Sequence, residues 1–187
     1  MFGDTIRQAA KSTVIAAIVI VAIVLAITAA LDLCSSAVRD ESEEFYAFVT
    51  SARIFHGKIE DKNLLEDIRT LIEIIAQESP ENSSEIGPSI RQGMLSARGY
   101  REQFKWLYPT TDSLELLESL IREGSLIESC YSKLYLAWSE KQSGDELHCA
   151  QYLEKVKVFY DEAVSLRDQN KLKLDSLLLQ FEQNHSR

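Results

Sequence analysis

Cys130, His148 and Cys149 are the residues whose types come closest to a chemical constellation in this chain of 187 residues. Two thiolates and an imidazole are zinc ligands, but structural zinc takes four ligands at recognisable spacing. Only three gather even on generous counting, so neither a metal nor any other cofactor is expected. The two thiols have a second chemistry open to them. Cys130 and Cys149 fall on neighbouring predicted helices joined by a short connection, where a disulfide forms on an oxidising side if the Cα atoms approach within about 7 Å. The alternative is that both are small buried apolar residues, as free cysteines commonly are.

Catalytic patterns are missing from the sequence. There is no Gly-x-Ser-x-Gly, no His-Glu-x-x-His and no phosphate-cradling glycine loop. The paired carboxylates Glu43-Glu44 and Asp161-Glu162 lie in segments with evident apolar stripes, where charge marks the solvated face. His56 reads as an interior or surface histidine and His185 as a tail residue. Asn82-Ser83-Ser84 and Asn184-His185-Ser186 fit the N-glycosylation pattern, which matters only in a lumenal or extracellular setting. The protein is not expected to be an enzyme.

The formal charge is −9, and it is unevenly placed. Residues 1–31 hold Asp4, Arg7 and Lys11, a net of +1, which leaves −10 on residues 32–187. Nucleic-acid binding rests on concentrated Lys and Arg, so nucleic acid is excluded as a partner.

From Ser12 to Leu31 run 20 residues without a charge, mostly Ile, Val, Ala and Leu. At about 1.5 Å per residue, such a helix crosses a hydrocarbon core roughly 30 Å thick. Residues 12–33 are therefore predicted to be a transmembrane helix, after a short flank over 1–11. Thr28-Ala29-Ala30 is a tolerable cleavage site, but signal peptides have apolar cores of only about 7–15 residues, which favours a retained anchor. Leu33 and Asp32 before Cys34 speak against lipidation, and Phe2 after Met1 against myristoylation. Arg7 and Lys11 precede the span against Arg39 just beyond it, which favours a cytoplasmic N-terminus and an extracytoplasmic C-terminal domain.

Ala22, Ala26 and Ala30 are spaced by four and line one face of that helix, with Cys34 the next member. Small residues let a second helix approach closely in lipid. The expectation is a homodimer through this stripe, linked at Cys34 where that side is oxidising.

The stretch Ser12-Thr13-Val14-Ile15-Ala16 resembles the N-terminal helix of archaeal type IV pilin-like proteins over about 20 residues. That resemblance implies a surface filament subunit processed near residue 10. Such signals usually place a basic and a small residue directly before the processing site, whereas Ala9-Ala10 precede Lys11 here. Family members commonly continue into β-rich domains, and the rest of this chain reads helical.

Over residues 34–184 the apolar period predicts an antiparallel bundle of four to five helices, with a tail over 185–187. Val38, Phe45, Phe48, Ala52 and Phe55 mark the first helix, closed by Gly57. The second, about 62–78, carries Leu64, Leu65, Ile68, Leu71, Ile72 and Ile75 on one face. SPENSSEIGPS over 79–89 is a loop. The third helix, about 89–108, contains Gly93 and Gly99 and is expected to stop at Pro109. The fourth reaches about 142 along Leu114, Leu117, Ile121, Ile127, Tyr131, Leu134 and Trp138, with Gly124 a possible bend. The fifth, about 145–184, has a near-heptad seam in which Arg167 and Asn170 replace apolar residues. Either the helix leaves the bundle there, or a buried polar pair fixes register, as a core Asn does in coiled coils. The fold class is all-α.

A tethered bundle without catalytic groups is expected to hold a protein partner or to support a membrane complex. The aromatic residues Trp106, Tyr108, Tyr135 and Trp138 are the candidate surface, against the alternative that they pack in the core and at helix ends. An extracytoplasmic bundle that senses a small ligand between its helices is the second reading.

Overall fold

Buried residues recur at three- and four-residue steps through each helix of the computed structural model, which describes residues 41–58, 63–77 and 85–185. Five helices and no strand are found among the described residues. They are α1 (residues 41–58), α2 (Leu64–Gln77), α3 (Ile86–Phe104), α4 (Leu114–Ser143) and α5 (Glu146–His185), with a 3-10 turn at Thr111–Ser113. The chain divides into two compact units, Met1–Glu44 and Phe45–Arg187, and the packing described below is that of the second. The expected span over 12–33 lies outside the described residues, as do Ala22, Ala26, Ala30 and Cys34. Among the described residues no helix is long and apolar enough to cross a membrane.

α4 and α5 form the central hairpin. Gly144, at φ 83°, takes the left-handed conformation that ends α4, and the amides of Gly144 and Asp145 donate to the carbonyls of Lys141 and Glu140. Asp145 then caps α5, its Oδ1 accepting the His148 amide at 3.0 Å. From this turn the two helices run antiparallel. Lys141 pairs with Glu146, the Cys130 thiol lies level with the Val156 carbonyl, Arg122 pairs with Glu162, and Ser119 reaches Asn170. α5 is unbroken over 40 residues, and Asn170 is buried within it.

α3 lies antiparallel along α4. Trp138 covers Gly87, Arg91 meets Tyr135, Arg98 pairs with Glu128, and Arg101 approaches Gly124. A Cβ on Gly124 would stand 3.1 Å from the Arg101 Cα, so this glycine permits close approach of two helices. Pro88 sits inside the first turn of α3, where its missing N–H leaves no hydrogen bond unmade. The helix thus begins three residues before the expected loop ends.

α1 and α2 take successive stretches of the remaining face. Tyr46 stacks on Phe181 with ring centroids 4.1 Å apart, and Arg53 binds Asp175 at 2.7 Å, so α1 runs antiparallel to the C-terminal part of α5. α2 packs nearer the hairpin, its first carbonyl, Leu64, accepting the Tyr131 hydroxyl at 3.0 Å. Leu64, Leu65, Ile68, Leu71 and Ile75 are its buried face, with Ile72 half-buried.

Candidate functional site

The connection between α3 and α4 carries two aromatic rings into solvent. α3 ends at Phe104 because that ring is fully buried, edge-on to Tyr100 at 4.7 Å and to Phe55 at 6.2 Å. The chain tightens there, the amides of Lys105, Trp106 and Leu107 each bonding three residues back. Leu107 turns inward against the core, whereas its neighbours Trp106 and Tyr108 remain 79% and 90% exposed.

Beyond Pro109 a capping box closes the elbow. The Thr110 amide donates to Ser113 Oγ at 2.8 Å and the Ser113 amide to the Thr110 carbonyl at 3.1 Å. Ser113 itself is buried. Phe104, Leu107 and Ser113 therefore pin a short segment from which Trp106 and Tyr108 project. Beside it Lys105 and Arg101 both bind Glu102, at 2.8 and 2.9 Å, and hold its carboxyl below the usual range, mainly through these hydrogen bonds. An aromatic pair on a braced backbone beside satisfied ion pairs has the anatomy of a binding hot spot.

A buried polar cluster lies behind the elbow. Glu123 of α4 is fully buried, and three other helices meet it. Asn170 Nδ2 of α5 donates to its Oε2 at 2.8 Å, and Ser119 Oγ donates to Asn170 Oδ1 at 2.7 Å. Tyr100 of α3 reaches Oε1 over a long 3.5 Å. His56 of α1, also fully buried, places Nε2 3.3 Å from Oε2, an ion-pair distance without the alignment of a hydrogen bond. Burial raises the Tyr100 phenol well above its ordinary value, the Glu123 charge and hydrogen bond add to this, and Arg167 opposes it. The phenol stays protonated. His56, Tyr100, Glu123 and Asn170 are buried in the core, and only Ser119 at the edge of the cluster is part-exposed.

Glu123 was missed in the sequence and His56 was left between an interior and a surface place, although a signal exists for both. Glu123 stands three residues after Leu120 and four before Ile127, on the buried stripe of α4. That stripe is wider than the expected one: Leu117, Ile127, Tyr131 and Leu134 are buried as expected, Leu116, Leu120, Cys130 and Ala137 join them, and Leu114 is half exposed. His56 follows Ala52 by four in the same way.

The other sequence candidates are dispersed. Tyr135 and Trp138 contact each other at 5.7 Å beside the first half of α3, about one helix length from Trp106 and Tyr108. Cys130 and Cys149 are free and buried. Cys130 lies level with Val156, seven residues along α5 from Cys149, or about 10 Å. His148 is turned outward onto Asp145 at 2.6 Å, away from both thiols. Among the described residues no three His, Cys, Asp or Glu side chains cluster to hold a metal ion.

No protein-family model, no curated protein and no solved structure matches this chain.

Proposed function

We propose that this protein is a membrane-anchored helical bundle that holds a protein partner through Trp106 and Tyr108. The observation that carries the reading is their exposure on a braced elbow, since both rings forgo burial worth about 2 kcal/mol each. The anchor rests on the uncharged run from Ser12 to Leu31, and the Ala22, Ala26, Ala30 and Cys34 stripe makes a homodimer the preferred anchor state.

The test is a photo-reactive residue placed in turn at 106, 108 and 158, in the full chain in its native membranes. Val158 is 62% exposed on α5 and serves as the control. A discrete heavier adduct from 106 and 108, and none from 158, supports the reading. Equal adducts from all three sites, or none, would end it.

Ligand sensing, the second reading, is favoured by a cleft of about 850 Å³ between α2 and α3. Leu64, Leu71 and Gly93 form its base, and Asp67, Thr70 and Gln92 stand on its rims. Its size suits a small ligand. A ligand-dependent rise in melting temperature across a metabolite panel favours this reading, and silence favours the first.

A further inference from the structure

The apolar strip of α1 repeats every seven residues. Phe45 and Ala52 share one position, Phe48 and Phe55 a second, and Val49 and His56 a third. At Phe48 and Phe55 the strip and the same strip displaced by one heptad are alike in type, whereas Phe45 would have to enter the fully buried site of Ala52, which opposes the shift by size alone. The ion pair of Arg53 with Asp175 is partly exposed on both sides and discriminates little.

His56 is different. It is the buried polar member of the strip, and it faces the buried carboxylate of Glu123, which Asn170 and Tyr100 also contact. A displaced α1 would set Val49 there and leave Glu123 without the His56 ring beside its Oε2. Leaving a buried carboxylate short of a polar neighbour costs its desolvation without compensation. We infer that Glu123 is a register key: it reads His56 on α1, Tyr100 on α3 and Asn170 on α5, and so locks α1 axially against the bundle.

The test moves the key. In the native register residue 46 faces residue 181, and residue 53 faces residue 175. Displacement by one heptad brings residue 46 to face residue 175. The full chain in detergent, with Cys34→Ser, carries either Tyr46→Cys with Phe181→Cys or Tyr46→Cys with Asp175→Cys, and disulfides are mapped by peptide mass after oxidation. With His56 in place, the 46–181 link is expected to exceed the 46–175 link by more than about tenfold, given the cost of leaving a buried carboxylate short of a partner and of overfilling the Ala52 site. Exchanging the two residues, Val49→His with His56→Val, is expected to raise the 46–175 link severalfold at the expense of the 46–181 link.

A 46–181 link that persists undiminished after the exchange, in a protein that keeps its helix content, overturns the proposal. If the exchanged chain does not fold, His56→Leu with Glu123→Leu decides instead. Removing both key residues is expected to raise the 46–175 link severalfold relative to 46–181, while the buried Ala52 site still favours the native register. An unchanged exclusive 46–181 link in that folded variant also overturns the proposal.

Discussion

Tyr131 lies so close across Gly93 that a Cβ at position 93 would stand 2.0 Å from its ring, while its hydroxyl donates to the Leu64 carbonyl at 3.0 Å. One side chain of α4 thereby passes beneath α3 and holds the start of α2. Gly99, six residues along the same helix, has nothing within 4 Å of its Cβ direction. The two glycines therefore respond oppositely to alanine. Gly99→Ala is expected to stabilise the fold by about 0.5–1 kcal/mol through helix propensity. Gly93→Ala is expected to cost about 2 kcal/mol or more, because the ring must move and leave the Leu64 carbonyl. Thermal unfolding of the two variants checks the sign of each.

Trp106 and Tyr108 should be expendable for folding. Trp106→Ala with Tyr108→Ala is expected to change stability by less than about 0.5 kcal/mol, since neither ring is buried. Trp138→Ala is the contrast. That ring covers Gly87 and packs on the core, so its loss leaves a cavity and costs about 3 kcal/mol. Denaturant melts of the two variants should separate cleanly, and similar losses would show that the elbow rings support the fold.

How much of this was legible follows the range of the interactions involved. The buried face of α2 was readable because its leucines and isoleucines recur with the helical period and no charge interrupts them. The end of α3 was not, since the burial of Phe104 against Phe55 and the inward turn of Leu107 decide it, five residues before Pro109 would. Trp106 and Trp138 look alike in sequence, and only the distant Gly87 makes one of them a packed ring. Glu123 was hidden by its own charge: a carboxylate on an apolar stripe reads as solvated until His56, Tyr100 and Asn170, each on another helix, are known to converge on it. Arg167 and Asn170 left the course of α5 open for the same reason, and the partner that settled Asn170 lies 47 residues away.

Alkaline pH should unfold the bundle early. Burial pushes the Cys130 thiol up to about 12 and raises Cys149, and burial likewise raises the Tyr100 and Tyr131 phenols. At neutral pH these groups keep their protons in both states, so nothing is lost. Above about pH 9 the unfolded chain begins to release protons that the folded chain retains, and stability falls as pH rises through the folded values. The melting temperature is expected to drop steadily from pH 9 to pH 12, and Cys130→Ala to flatten part of that slope. An unchanged slope in the variant would show that the Cys130 proton is not linked to folding.

Cys34 offers the most direct reading of topology. If two anchors pair along Ala22, Ala26 and Ala30, the next member of the stripe brings two thiols together. Membranes from cells lysed with a thiol-blocking agent, run on a gel without reductant, are expected to show a band of doubled mass that disappears in Cys34→Ser. That band would place Cys34 on an oxidising side, and with it the bundle that follows in sequence. Cys130 and Cys149 are poor sources of such a link, since both are buried. A monomer in both lanes would remove the disulfide-linked dimer, and a doubled band that survives in the variant would move the link to another residue.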